Sequence, residues 1–101
     1  MGIRSRHSVA GAQFGLTISS SVISLTVPDV KKGAFVAEIF VRDAAINFTR
    51  EGTAPTTTKG TTAYPDDIIL LNSQHEINNV KMIATGSDAS VDVEYFSDIS
   101  G

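Results

Sequence analysis

The stretch Ala45-Ile46-Asn47-Phe48-Thr49-Arg50-Glu51-Gly52-Thr53-Ala54-Pro55-Thr56, with its continuation through a threonine-rich bridge to Tyr64-Pro65-Asp66-Asp67-Ile68-Ile69-Leu70-Leu71, decides how the chain is read. Residues 45–50 alternate with a period of two, Ile46 and Phe48 pointing one way, as in a half-buried strand. Glu51-Gly52 supplies a turn. Thr53 to Thr62 holds six threonines, one proline, one glycine and no large apolar residue. Such a segment cannot bury itself and is expected on the surface, where a loop of this length often makes contacts. Tyr64 to Asp67 reads as a second turn, and Ile68 to Leu71 as a short apolar strand.

Upstream, Ala34-Phe35-Val36-Ala37-Glu38-Ile39-Phe40-Val41 is apolar on both faces, and five of its eight residues are β-branched or aromatic. That favours a strand over a helix, placed centrally in a sandwich or at a subunit interface. Val22 to Val27 alternates Ile23, Leu25 and Val27 against Ser24 and Thr26, and Pro28-Asp29 ends it. Ala12 to Ile18 reads as a first strand. Residues 1–11, poor in apolar anchors, read as an N-terminal arm.

Downstream, Asn72 to Asn79 is a polar connection or a single helical turn. Val80 to Thr85 is a strand, Gly86-Ser87-Asp88 a turn, and Ala89 to Phe96 a closing strand with Val91, Val93 and Tyr95 on one face. The expectation is one all-β domain, an antiparallel β-sandwich that is jelly-roll-like, spanning residues 12–97 between an extended arm (1–11) and a short tail (98–101).

Composition narrows the chemistry. The 101 residues contain no cysteine, which excludes disulfides and thiolate metal sites. No apolar run approaches the ~18 residues of a membrane helix, so synthesis in a cytoplasm is the default. The net charge is −3, which does not suit nucleic-acid binding. It is unevenly spread: residues 1–50 hold six Lys/Arg against three acids, residues 51–101 two against eight. That asymmetry suits head-to-tail contact between copies, or an acidic partner beneath the arm.

Catalytic patterns fail on spacing. Lys59-Gly60-Thr61 lacks the glycine that a phosphate loop places immediately before its lysine. His7 and His75 have no partner at metal-ligand spacing. Asp66 and Asp67 are adjacent, and on a strand would point to opposite faces. No catalytic residue, cofactor or metal is expected.

The pieces Phe48-Thr49-Arg50, Gly52-Thr53-Ala54-Pro55-Thr56, Gly60, Ile68-Ile69-Leu70-Leu71 and Val91-Asp92-Val93-Glu94-Tyr95-Phe96 follow one another in an order that resembles small structural proteins of tailed bacteriophages. Asn79 to Ala84 looks like the strand preceding their last hairpin. The likeness covers roughly residues 34–96; Pro65-Asp66-Asp67 stands where those proteins usually carry Gly-Asp. It implies a head-decoration (cement) protein: a non-enzymatic virion component, often trimeric, bound to the outer surface of the capsid across capsomer junctions, with the major capsid protein as partner. A tail or fibre adhesin, or a glycan-binding β module of the virion, is the alternative. On this reading Arg4, Arg6 and His7 are expected to meet the capsid. Phe40, Thr56, Thr57, Thr58, Lys59 and Tyr64 are expected in inter-subunit or loop contacts.

Overall fold

The structure, a computed structural model, describes residues 7–25 and 36–98. Apart from one short helix, its regular elements are strands: β1 His7–Ile18, β2 Ile23–Ser24, β3 Val36–Val41, β4 Ile46–Thr49, β5 Thr61–Ala63, β6 Ile68–Leu71, α1 Gln74–Asn79, β7 Lys81–Ala84 and β8 Ala89–Asp98. They form two four-stranded sheets, ordered β1-β8-β3-β6 and β2-β7-β4-β5. Every pairing is antiparallel, and the pairs double the chain back on itself: β4 with β5, β3 with β6, β2 with β7, β1 with β8. Consecutive strands share a sheet only at β4–β5; every other step moves the chain to the other sheet.

Alternation within strands builds the core. In β3 the buried residues are Ala37, Ile39 and Val41, while Val36, Glu38 and Phe40 on the opposite face are half-buried. Ile39 sits opposite Val93 of β8 and Ile69 of β6, which layers three buried side chains across the first sheet. From the second sheet Ile46, Phe48, Met82 and Ala84 join the same cluster. Each large side chain removed from water in this way contributes about 1.5–3 kcal/mol.

The connection after β6 is helical because its ends are satisfied locally. Ser73 Oγ accepts the Glu76 N–H at 3.2 Å, and the Glu76 carboxylate accepts the Asn72 N–H at 2.9 Å. Ile77, fully buried, anchors the helix to the core.

The structure departs from the expectations in four places. Residues 7–11, read as part of an arm, belong to β1: His7 is registered with Asp98 and Gly11 with Tyr95. β8 runs to Asp98, beyond the expected end of the body, and its backbone groups there need a partner strand. Arg4 and Arg6, like Pro28-Asp29 and Lys31-Lys32, lie outside the described residues. The strand expected over 22–27 contains only the two-residue β2, with residues 26 and 27 outside the description. Finally, the threonine bridge is not all loop. Thr61–Ala63 forms β5 because Thr61 and Thr62, both β-branched, register with Phe48 and Asn47.

Candidate interaction surface

The two sheets treat their outer faces differently. On the second sheet the outward residue Asn47 of β4 is buried, 3% exposed. Its Nδ2 donates to the Thr56 carbonyl at 2.9 Å, and Thr62 Oγ1 donates to its Oδ1 at 2.6 Å. Ile83, registered with Asn47 on β7, is also buried, as is Pro55. The segment expected on the surface lies there, with most of its residues exposed, and folds over this face. Gly60 makes the close approach possible: at φ +123° it adopts a backbone few side chains tolerate, and a Cβ there would lie 3.1 Å from the Phe48 carbonyl oxygen. Asn47 was missed in the sequence; its only signal was an amide interrupting an alternating strand opposite a run of threonines.

Beyond Asn47 the loop ends in a tight turn. The Thr56 N–H donates to the Lys59 carbonyl at 3.0 Å, the Lys59 N–H to the Thr56 carbonyl at 3.3 Å, and the Thr58 N–H to Thr56 Oγ1 at 3.2 Å. Thr56, Thr57, Thr58 and Lys59 are all exposed there.

The outer face of the first sheet carries large apolar side chains in solvent. Phe14 is 68% exposed, Ile68 55% and Leu70 40%, and Phe40 is half-buried between Ile68 and Asp92 in register. Charge runs through it: Glu38 of β3 and Glu94 of β8 are direct cross-strand partners, flanked by Leu70 and Ala12. Among the described residues neither glutamate has an ion-pair partner. Like charges so placed repel.

Asp92, two residues from Glu94 along β8, is ion-paired. Its carboxylate accepts the Gly15 N–H at 2.8 Å and the Arg42 guanidinium at 2.8 Å. The Gly15 hydrogen bond foremost holds its pKa below the ordinary carboxylate value; burial opposes that, and the Arg42 guanidinium adds to the lowering. At the free edge Arg50 lies 5.0 Å over the Phe48 ring, reaches the Leu70 carbonyl at 3.4 Å and approaches Glu76 at 3.9 Å. It straps β6 of one sheet to β4 of the other.

The predicted contact residues thus fall in separate places. Phe40 lies on the open face of the first sheet; Thr56–Lys59 cap the covered face of the second. Tyr64, 60% exposed, is in the turn that feeds β6, and that turn bonds back to Val41 beside Phe40: the Asp66 N–H donates to the Val41 carbonyl at 2.8 Å. His7 opens β1 next to Asp98.

In the interior, Tyr95 Oη and Gln13 Oε1 are buried without a hydrogen-bond partner. Burial pushes the Tyr95 phenol up to about 12. His75, on α1, is exposed, and Asn79 Nδ2 donates to its carbonyl at 2.7 Å. Among the described residues no group of three or more His, Asp or Glu side chains could hold a metal ion, and no helix is long and apolar enough to cross a membrane. The chain matches no protein-family model, no curated protein and no solved structure.

Proposed function

We propose that this chain is a non-enzymatic virion protein, a jelly-roll sandwich that decorates and stabilises a bacteriophage capsid across capsomer junctions, on the outer surface of the shell. The observation carrying this reading is the open face of the first sheet, with Phe14, Ile68 and Leu70 in solvent around half-buried Phe40. A sheet face of that kind suits lasting protein contact more than turnover of a small substrate. The jelly-roll assignment is supported by the pairing of β1 with β8, β2 with β7, β3 with β6 and β4 with β5, a doubled ribbon rolled into two sheets. The sequence likeness over residues 34–96 supplies the phage context. Binding the assembled lattice alone stabilises it by mass action, and many symmetric copies add avidity.

The test is co-sedimentation of the purified chain with phage heads stripped of accessory proteins. Saturable binding at capsid-scale copy number is expected. A chain that ignores shells but binds host cells or polysaccharide overturns the decoration reading in favour of a tail or fibre adhesin.

A further inference from the structure

We infer that the open face of β1-β8-β3-β6 receives the basic N-terminal segment of a second copy of this chain, Arg4 and Arg6 of one copy meeting Glu38 and Glu94 of the next. The inference rests on the reading of that face as an assembly surface and names its occupant.

Charge supplies the first argument. The described residues hold four Lys/Arg (Arg42, Arg50, Lys59, Lys81) against ten Asp/Glu, a net −6, while segments 1–6 and 26–35 hold four Lys/Arg against one Asp, a net +3. Within the body, Arg42 is committed to Asp92 and Arg50 to the β6 edge. The Glu38–Glu94 pair is left to repel itself on a face that also exposes Ile68 and Leu70. A cationic segment carrying an apolar residue complements both features, and Ile3-Arg4-Ser5-Arg6 has that composition.

Reach supplies the second. β1 begins at His7 opposite Asp98, and Glu94 lies four residues back along β8, about 13 Å at strand spacing. To lie over its own Glu94 the segment must reverse direction, and a four-residue turn consumes the whole span from Arg4 to His7. A neighbouring copy meets no such constraint. Acid against acid disfavours packing this face on its own twin, which favours a head-to-tail contact; such a contact gives a discrete oligomer when its rotation closes into a ring and a filament when it does not.

The test is sedimentation velocity over a concentration series at low salt, on five chains. Wild type is expected as a discrete oligomer. Glu38→Lys with Glu94→Lys, or Arg4→Glu with Arg6→Glu, should each weaken association at least tenfold, and the chain carrying all four should regain it. Glu38→Gln with Glu94→Gln guards against misfolding: it should melt at or above wild type yet associate more weakly. A monomeric wild type, reversed pairs that still associate, or a four-fold variant that stays monomeric would overturn the inference. Shell binding on the same samples separates the two ideas. A monomer that saturates shells removes only the head-to-tail contact; an oligomer that ignores shells removes only the decoration reading.

Discussion

Asp92 on β8 accepts the Gly15 N–H at 2.8 Å, and this bond secures the point where β1 slips register between Gln13 and Leu16. Such an irregularity re-aims a side chain, and the one beside Gly15 is Phe14, the most exposed large apolar residue among the described residues. Gly15 sits at φ +70° with no atom within 4 Å of where a Cβ would stand. Gly15→Ala should therefore cost stability through the backbone alone, about 1–2 kcal/mol, read from denaturant unfolding. The same Asp92 carboxylate has its pKa lowered on folding. Its stabilising contribution is present above the ordinary carboxylate pKa and lost as pH falls through the lowered value. Asp92→Asn should flatten the acid limb of the stability profile; an unchanged limb would show that the carboxylate does not hold the bulge.

Tyr95→Phe is expected to stabilise the protein by about 1 kcal/mol, because it deletes a buried hydroxyl that has no partner without opening a cavity. Wild type should also lose stability as pH rises from about 10 to about 12, since the phenol ionises at 10.0 when unfolded and near 12 when folded. The unfolded state releases its proton first, so alkali favours unfolding. The variant should lack that component of the alkaline limb.

Asn47→Ala should cost about 1–3 kcal/mol, leaving the Thr56 carbonyl and Thr62 hydroxyl without their buried partner. Hydrogen exchange should accelerate in β5 and in the 56–60 turn before it does in β3. Uniform acceleration would mean that Asn47 serves the whole core rather than the loop.

Asp66 occupies φ 76°, second after Pro65 in a turn closed by the Asp67 N–H donating to the Tyr64 carbonyl at 2.9 Å. Glycine suits that position. Asp66→Gly should be neutral or slightly stabilising, whereas Asp66→Val should cost about 1–2 kcal/mol. Equal melting of the two variants would contradict the turn geometry.

Ile39→Ala and Phe40→Ala, adjacent in β3, should separate the two faces of the first sheet. Ile39 is fully buried, and its truncation should cost about 2–5 kcal/mol. Phe40 is half-buried on the open face, so its loss should cost the monomer much less and register chiefly in association.

What the chain shows without coordinates is what local physics controls. The alternation at Ile46/Phe48 and Val91/Val93/Tyr95, the two-faced apolar run around Ile39 and the proline turn before Ile68 all appear as elements of the structure, because a strand's period and a turn's dihedrals are properties of a few neighbouring residues. β5 was not legible, since Thr61-Thr62-Ala63 is too short and polar to show a pattern and becomes a strand only when Asn47 and Phe48 offer it a ladder. The extent of β1 was hidden for the same reason: His7 to Gly11 have no apolar signature and are ordered by pairing with the far end of the chain. Tertiary structure alone decided which outer face is covered. The threonine segment folds back on Asn47 through contacts nine and fifteen residues apart, and that leaves the face bearing Glu38, Phe40, Ile68 and Leu70 open, because a sheet has two faces and this loop covers only one.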